Sequence, residues 1–219
     1  MHKYTYIDIH THQQDQQDRN ILSIYNLNVP EHFCRCGLDL ENKKYSLGIH
    51  PWNINAQLLS ENLRFIEENA SFNCVKAIGE SGLDKLTETP WELQMRAFLS
   101  QIAISEKIKK PLIIHCVRAF DELIALKKEI KPEQSWIIHG FRGKPGQMEQ
   151  LTRLGFCLSF GEYFNEDTIK KMPLDQMFLE TDDKEISISR IYKKVLESLN
   201  ISEQELKDQL EKNFTERFN

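Results

Sequence analysis

The pattern that most restricts the fold of this chain is an alternation, repeated almost from end to end, of short apolar runs with longer segments of helical period. Eight such runs lie at residues 4–9, 21–27, 45–49, 74–78, 111–114, 135–138, 156–160 and 177–179. Several are continuous apolar stretches, as expected of parallel strands covered on both faces. Between them, 58–69 places Leu59, Leu63 and Ile66 on one helical face with Phe65 beside them. Segment 91–109 repeats apolar residues at Trp91, Met95, Phe98 and Ile102, with Pro90 in the first turn. Helical patterns follow at 119–130, 147–154, 188–199 and 203–214, the last preceded by Ser202 with Glu205 three residues on, a capping box. Eight strands with helices between them predict an α/β fold, a (β/α)₈ TIM-like barrel forming a single domain over 1–219. An open doubly wound sheet satisfies the same strand count. The connection 12–20 is polar and short for a full helix, and 28–44 is irregular, so the barrel is expected to be trimmed, with a short second strand.

Bulk properties exclude little but bound the setting. With a net charge of -5, the chain has no basic surface of the kind that coats nucleic acid. A nucleic-acid substrate stays compatible, because bound divalent cations supply positive charge locally. The N-terminus lacks an apolar signal segment and no stretch is long enough to span a membrane, which predicts a cytoplasmic protein with no membrane partner. Five cysteines, an odd number and mostly inside apolar runs, read as reduced buried thiols. The His32-x-Cys34-x-Cys36 spacing could hold a soft metal, but without a second ligand pair it reads as an irregular loop.

The chemistry-bearing residues gather at the C-terminal ends of the apolar runs. Five of the seven histidines occupy such ends: His10 and His12, His50, His115, and His139. Glu80, in Ala77-Ile78-Gly79-Glu80, and Asp182, in Leu179-Glu180-Thr181-Asp182, are placed likewise. In a barrel these ends converge on one mouth, where active sites lie. Strand side chains alternate, so His10 and His12 face the same way and can both reach one ion. A lone His-x-His or a single strand histidine is ordinary; six ligand-type residues spread over most of the chain are not. Imidazole suits zinc, while carboxylates accept harder ions such as magnesium or manganese and can bridge two of them. Four histidines with a glutamate and an aspartate exceed the need of one catalytic ion and suit two divalent ions about 3.5–4 Å apart.

The same residues fall in an ordered series of motifs. These are Ile7-Asp8-Ile9-His10-Thr11-His12, Leu47-Gly48-Ile49-His50-Pro51-Trp52, Ala77-Ile78-Gly79-Glu80-Ser81-Gly82-Leu83-Asp84, and Pro111-Leu112-Ile113-Ile114-His115-Cys116. Ile138-His139-Gly140-Phe141, Leu154-Gly155-Phe156, Ser159-Phe160-Gly161, Glu180-Thr181-Asp182 and a closing Asn213-Phe214-Thr215-Glu216-Arg217-Phe218 complete it. Over essentially its whole length the chain resembles the TatD-type metal-dependent hydrolases of the amidohydrolase superfamily. The resemblance implies a distorted TIM barrel and two divalent ions. One would be held by His10, His12, Glu80 and Asp182, and the other by Glu80, His115 and His139, with Glu80 as the bridge. Asp182 and Glu80 would be the catalytic carboxylates, Asp182 as general base.

The resemblance further implies that His50 contacts the substrate's phosphate or leaving oxygen rather than an ion. The implied activity is hydrolysis of phosphodiester bonds, typically in DNA with exonuclease or DNase character. Arg142 and Lys144, just after the His139 run, are candidates for contacting a phosphate backbone, a solvated turn being the alternative. Another phosphoester, ester or amide substrate, or a role as a component of a larger assembly, are the alternative readings; the sequence indicates no protein partner. Two departures bear on substrate choice. The chain continues after Asp182 with Asp183-Lys184-Glu185-Ile186, not with Ser-Pro and a long proline-rich loop, and Val117 stands where many relatives carry arginine. Trp52 beside His50 could stack on a base or simply pack, and Trp91 and Trp136 read as core or rim residues.

Overall fold

A computed structural model of the chain describes residues 5–13, 20–29 and 43–218. The His32-x-Cys34-x-Cys36 pattern lies outside the described residues. Eight strands alternate with helices: β1 Tyr6–Thr11, β2 Ile21–Asn28, β3 Lys44–Gly48, α1 Leu59–Asn69, β4 Val75–Asp84, α2 Trp91–Ile108, β5 Leu112–Val117 and α3 Phe120–Ile130. The order continues with β6 Trp136–Ile138, α4 Pro145–Arg153, β7 Cys157–Phe160, α5 Glu166–Ile169, β8 Met177–Leu179, α6 Ile188–Leu196 and α7 Glu203–Arg217. The strands form one sheet in the order β1 to β8. Just past β8, Asp182 makes a parallel bridge to Thr11 of β1, with Asp182 N–H donating to the His10 carbonyl at 2.9 Å and His12 N–H to the Asp182 carbonyl at 3.0 Å. A sequential order whose last strand returns to the first is that of a (β/α)₈ barrel, not of a doubly wound sheet.

Two expectations are corrected. The second strand is not short: β2 has eight residues. β4 also runs to Asp84, well past the apolar run ending at Ile78, so Glu80 lies within a strand rather than at its end. The apolar signal stops at Gly79 because glycine has low strand propensity. The strand nonetheless continues, with its register to β5 shifting between Ile78 and Ser81.

The chain divides into two compact units, one made of the residues up to Tyr25 with Ile138–Arg217, the other of Asn26–Ile137 with Phe218. In the first, α6 buries Ile188, Ile191, Tyr192 and Val195, the i, i+3, i+4, i+7 spacing of one helical face. Burying each such aliphatic side chain contributes about 1.5–3 kcal/mol. The Tyr192 hydroxyl accepts from Ile7 N–H at 3.1 Å, fixing α6 to the strand that ends in the histidine pair. The predicted capping box is present: Glu205 N–H donates to Ser202 Oγ at 3.2 Å and Ser202 N–H to Glu205 Oε2 at 2.7 Å. Further along α7, Asn213 is fully buried and its Nδ2 donates to the carbonyls of Leu174 at 2.6 Å and Met177 at 2.9 Å, anchoring the start of β8.

In the second unit, α2 buries two amides on its core face, Gln94 and Gln101, two turns apart. Gln101 accepts from Ile49 N–H at 2.8 Å and donates to the Ile49 carbonyl at 3.2 Å. Gln94 does the same for Asp84, at 2.8 and 3.0 Å. A buried backbone group without a partner costs about 1–3 kcal/mol, and each amide satisfies both groups of one strand end. Those ends carry His50 and Asp84. Trp136 is wholly buried against Phe98, a core residue as expected. Among the described residues no helix is long and apolar enough to cross a membrane.

Candidate metal centre

In the first unit, alternation along β1 turns Asp8, His10 and His12 to one side. Nε2 of His10 and Nε2 of His12 lie 3.7 and 3.6 Å from the same oxygen, Oδ1 of Asp182. Asp182 has φ of 56°, a left-handed conformation that costs a non-glycine residue energy and is tolerated best by Asp and Asn. The two backbone hydrogen bonds to β1 hold it there. Behind it, Thr181 N–H donates to Asp8 Oδ1 at 3.1 Å, and Thr181 Oγ1 lies 2.7 Å from Asp8 Oδ2 and 2.8 Å from Thr11 Oγ1. Burial pushes the Asp8 carboxyl up to about 7, further than the Thr181 hydrogen bonds can offset.

On the same side, the His139 ring lies 4.6 Å from that of His10, and its Nδ1 is 3.4 Å from Glu180 Oε1, which also accepts Gly140 N–H at 2.6 Å. Burial opposes ionisation of Glu180, but the His139 hydrogen bond and the charges of His139 and His10 outweigh it and hold the carboxyl below the usual glutamate range. His10, His12 and Asp182 form one group of closely spaced donor atoms, and His139, Glu180 and Asp182 another.

The second unit carries His50, Glu80 and His115 within reach of one another. Glu80 is set by Asn26, whose Oδ1 accepts Glu80 N–H at 2.9 Å and whose Nδ2 faces Glu80 Oε2 at 3.4 Å. Oε1 of Glu80 lies 2.8 Å from Nδ1 of His115 and 3.1 Å from Nε2 of His50. His50 Nδ1 accepts Trp52 N–H at 3.1 Å, so a neutral His50 carries its proton on Nε2, where it donates to Glu80. Spacing groups His50 with Glu80 and His115 as a candidate ligand, whereas its tautomer leaves Nε2 a donor. His115 Nε2 lies 3.2 Å from Oδ2 of Asp84. Burial works against the charge of Asp84, yet the N–H donors of Trp52, Leu86 and His115 hold its carboxyl below the ordinary aspartate range.

A donor set of imidazoles and carboxylates fits a divalent cation, zinc by its histidines and magnesium or manganese by its oxygens. The decisive comparison agrees with this geometry: the model of the TatD-related DNase family matches residues 7–219. The chain belongs to that family. Its TatD relatives include a metal-dependent hydrolase of Haemophilus influenzae, 29% identical over 68% of this chain and 62% of the relative. Bacillus subtilis YabD, also named a metal-dependent hydrolase, is 31% identical over 63% of this chain and 57% of its own length. A Danio rerio protein named provisionally as a deoxyribonuclease is 31% identical over 53% of this chain and 47% of its own. The match to these curated relatives thus spans about three fifths of their length or less. The crystal structure of YjjV, a TatD homologue from Escherichia coli, superposes with a TM-score of 0.84 over 100% of this chain and 99% of that one, at 23% identity. That likeness shows the TatD TIM-barrel fold.

Of the sequence-predicted ligands, His10, His12, His139 and Asp182 belong to one unit and Glu80 and His115, with His50, to the other. Arg142 and Lys144 are both exposed. Arg142 stacks its guanidinium 5.5 Å from the Tyr163 ring and borders a small cavity that also touches Asp182, whereas Lys144 serves as the backbone cap of α4 and does not border it. Asp8, Asn26, Asp84 and Glu180 are supporting residues that sequence reasoning did not single out. Asp8 offered a signal, two residues before His10 on the same strand face. Asn26 offered none, because its partner is 54 positions away.

Proposed function

We propose that this chain is a metal-dependent nuclease that hydrolyses phosphodiester bonds of DNA, with two divalent ions held by His10, His12, Glu80, His115, His139 and Asp182. The observation that carries the reading is the convergence of both His10 and His12 Nε2 atoms on one oxygen of Asp182, at 3.7 and 3.6 Å. The names of the relatives support the reaction class, and the provisional deoxyribonuclease name of one supports the substrate. Divalent ions in such a site neutralise the phosphate and make water a nucleophile at neutral pH.

The chain's own groups divide the remaining work. The Asp182 carboxylate would take the proton of the attacking water as general base. His50 Nε2–H, which points at Glu80, would turn to a phosphate or leaving oxygen once Glu80 is engaged by metal, its proton kept on Nε2 by the Trp52 N–H on the opposite nitrogen. Arg142, exposed and stacked on Tyr163, contacts a flanking phosphate. These few cations suffice in a chain of net charge -5, because the ions carry the positive charge. The free thiols of Cys74, Cys116 and Cys157 suit a reducing compartment, which supports a cytoplasmic setting.

The test is a substrate panel on chelated protein reloaded with Mg²⁺, Mn²⁺ or Zn²⁺: single-stranded DNA, RNA, a phosphodiester and a phosphomonoester of nitrophenol, and a nitrophenyl ester. Cleavage of DNA and of the diester is expected. Turnover of the monoester or ester alone would move the reaction to another bond. Metal counting on Glu80→Gln, expected to lower occupancy of both ions, tests the bridging role.

A further inference from the structure

Trp52 is 63% exposed, the most exposed of the large hydrophobic side chains among the described residues, yet it is held on three sides. Its indole Nε1–H donates to Asp84 Oδ2 at 2.6 Å, and its ring meets those of His50 at 4.8 Å and His115 at 5.7 Å, both edge-on. An indole that only packed would bury its faces. Here the indole is anchored through Nε1 and two ring contacts while most of its surface is left to solvent.

Asp84 is the reason it is fixed. This carboxylate is 2% exposed and receives three N–H donors. Oδ1 accepts Leu86 N–H at 2.7 Å, and Oδ2 accepts Trp52 Nε1–H and faces His115 Nε2 at 3.2 Å. Three donors converging on both oxygens require an acceptor-only group, which an ionised carboxylate is and an amide is not. His115 presents its other nitrogen to Glu80 at 2.8 Å. A carboxylate on the remote nitrogen of an imidazole fixes its tautomer and raises its basicity as a ligand.

We propose that Asp84 is a positioning residue that sets His115 for metal binding through Nδ1 and, with the same oxygen, pins Trp52 as a stacking platform for an unpaired base of the substrate. The platform half rests on the nuclease reading above. One buried carboxylate thus registers the base of the substrate strand to the ion that acts on its phosphate. Base–aromatic stacking is sequence-tolerant, which suits an enzyme that degrades strands irrespective of sequence.

The test uses the full chain with a phosphorothioate oligothymidylate as a slowly cleaved probe, and Zn²⁺ alone as the metal probe. Asp84→Asn should weaken Zn²⁺ binding about 10- to 100-fold with no substrate present. Its His115 ring nitrogens should lose the single Nε2–H tautomer in ¹⁵N spectra, while far-UV circular dichroism stays that of the parent. Trp52→Ala should weaken oligonucleotide binding about 5- to 100-fold and leave Zn²⁺ affinity within about 3-fold. Trp52→Phe, which keeps a ring, should recover most of that loss. Unchanged Zn²⁺ affinity in Asp84→Asn, or unchanged oligonucleotide affinity in Trp52→Ala, overturns the proposal. A parent protein that cleaves DNA while Trp52→Ala binds normally overturns this inference alone; a parent that binds no oligonucleotide overturns it together with the nuclease reading.

Discussion

Gly82→Ala is the substitution that most sharply joins the fold to the site. Gly82 of β4 pairs with His115 of β5, at φ of 153°. A Cβ built there would stand 1.9 Å from the His115 carbonyl oxygen and 2.8 Å from its carbonyl carbon, about 1 Å inside the closest approach real Cβ atoms make. Neither atom belongs to a flexible side chain, so the two strands must part. Overpacking of this kind costs about 1–3 kcal/mol. Holding a side chain at this φ adds about 1–3 kcal/mol. Together they are a large fraction of the roughly 5–15 kcal/mol by which a domain is stable. With a urea m-value of about 2 kcal/mol per molar, the unfolding midpoint should fall by about 1–3 M. Because the displaced backbone is that of a proposed ligand, divalent-metal affinity should fall as well. A midpoint within about 0.3 M of the parent, with metal affinity retained, would refute the claim that Gly82 sets the distance between β4 and His115.

Other expectations follow from single contacts. Asn213→Ala removes a buried side-chain donor from the carbonyls of Met177 and of Leu174, the latter keeping the Met177 N–H, at about 1–3 kcal/mol in all. At about 2–4 °C per kcal/mol, the melting temperature should drop by several degrees or more, measurable by calorimetry. Burial pushes the Cys116 thiol from 9.0 up to about 12, against the weaker pull of Ala119 N–H. Alkylation at pH 8 should therefore be much slower in the folded chain than in urea. The unfolded thiol ionises first, so stability should fall as pH rises between about 9 and 12, and Cys116→Ala should flatten that fall.

The barrel was legible in the sequence because parallel strands covered on both faces leave continuous apolar runs, and β5 to β8 fall where those runs lie. β4 was under-read because Gly79 and Gly82 interrupt its hydrophobicity while permitting the close approach to Ile113 and His115 that extends the strand. β2 was expected short because the connections on either side of it, 12–20 and 28–44, look polar or irregular, yet it runs for eight residues with Ser23, Asn26 and Asn28 all buried. The proposed ligand residues were legible because six of ligand type recur over most of the chain, where any one of them alone would be ordinary. Their supports were not: Asn26, Asp84 and Gln94 are common polar residues whose value lies in partners distant along the chain. Trp52 was left between stacking and packing until its exposure and its bond to Asp84 were known.

Nucleotide release from single-stranded DNA is the measurement that bears most directly on the central claim, with parent, His10→Ala and Asp182→Asn compared before chelation, after it, and after return of the ion. Release by the parent is expected to stop with chelation and resume with the ion, and both variants should be at least about 100-fold slower at unchanged circular dichroism. Metal-replete parent protein that releases nothing from DNA, or variants as fast as the parent, would contradict it.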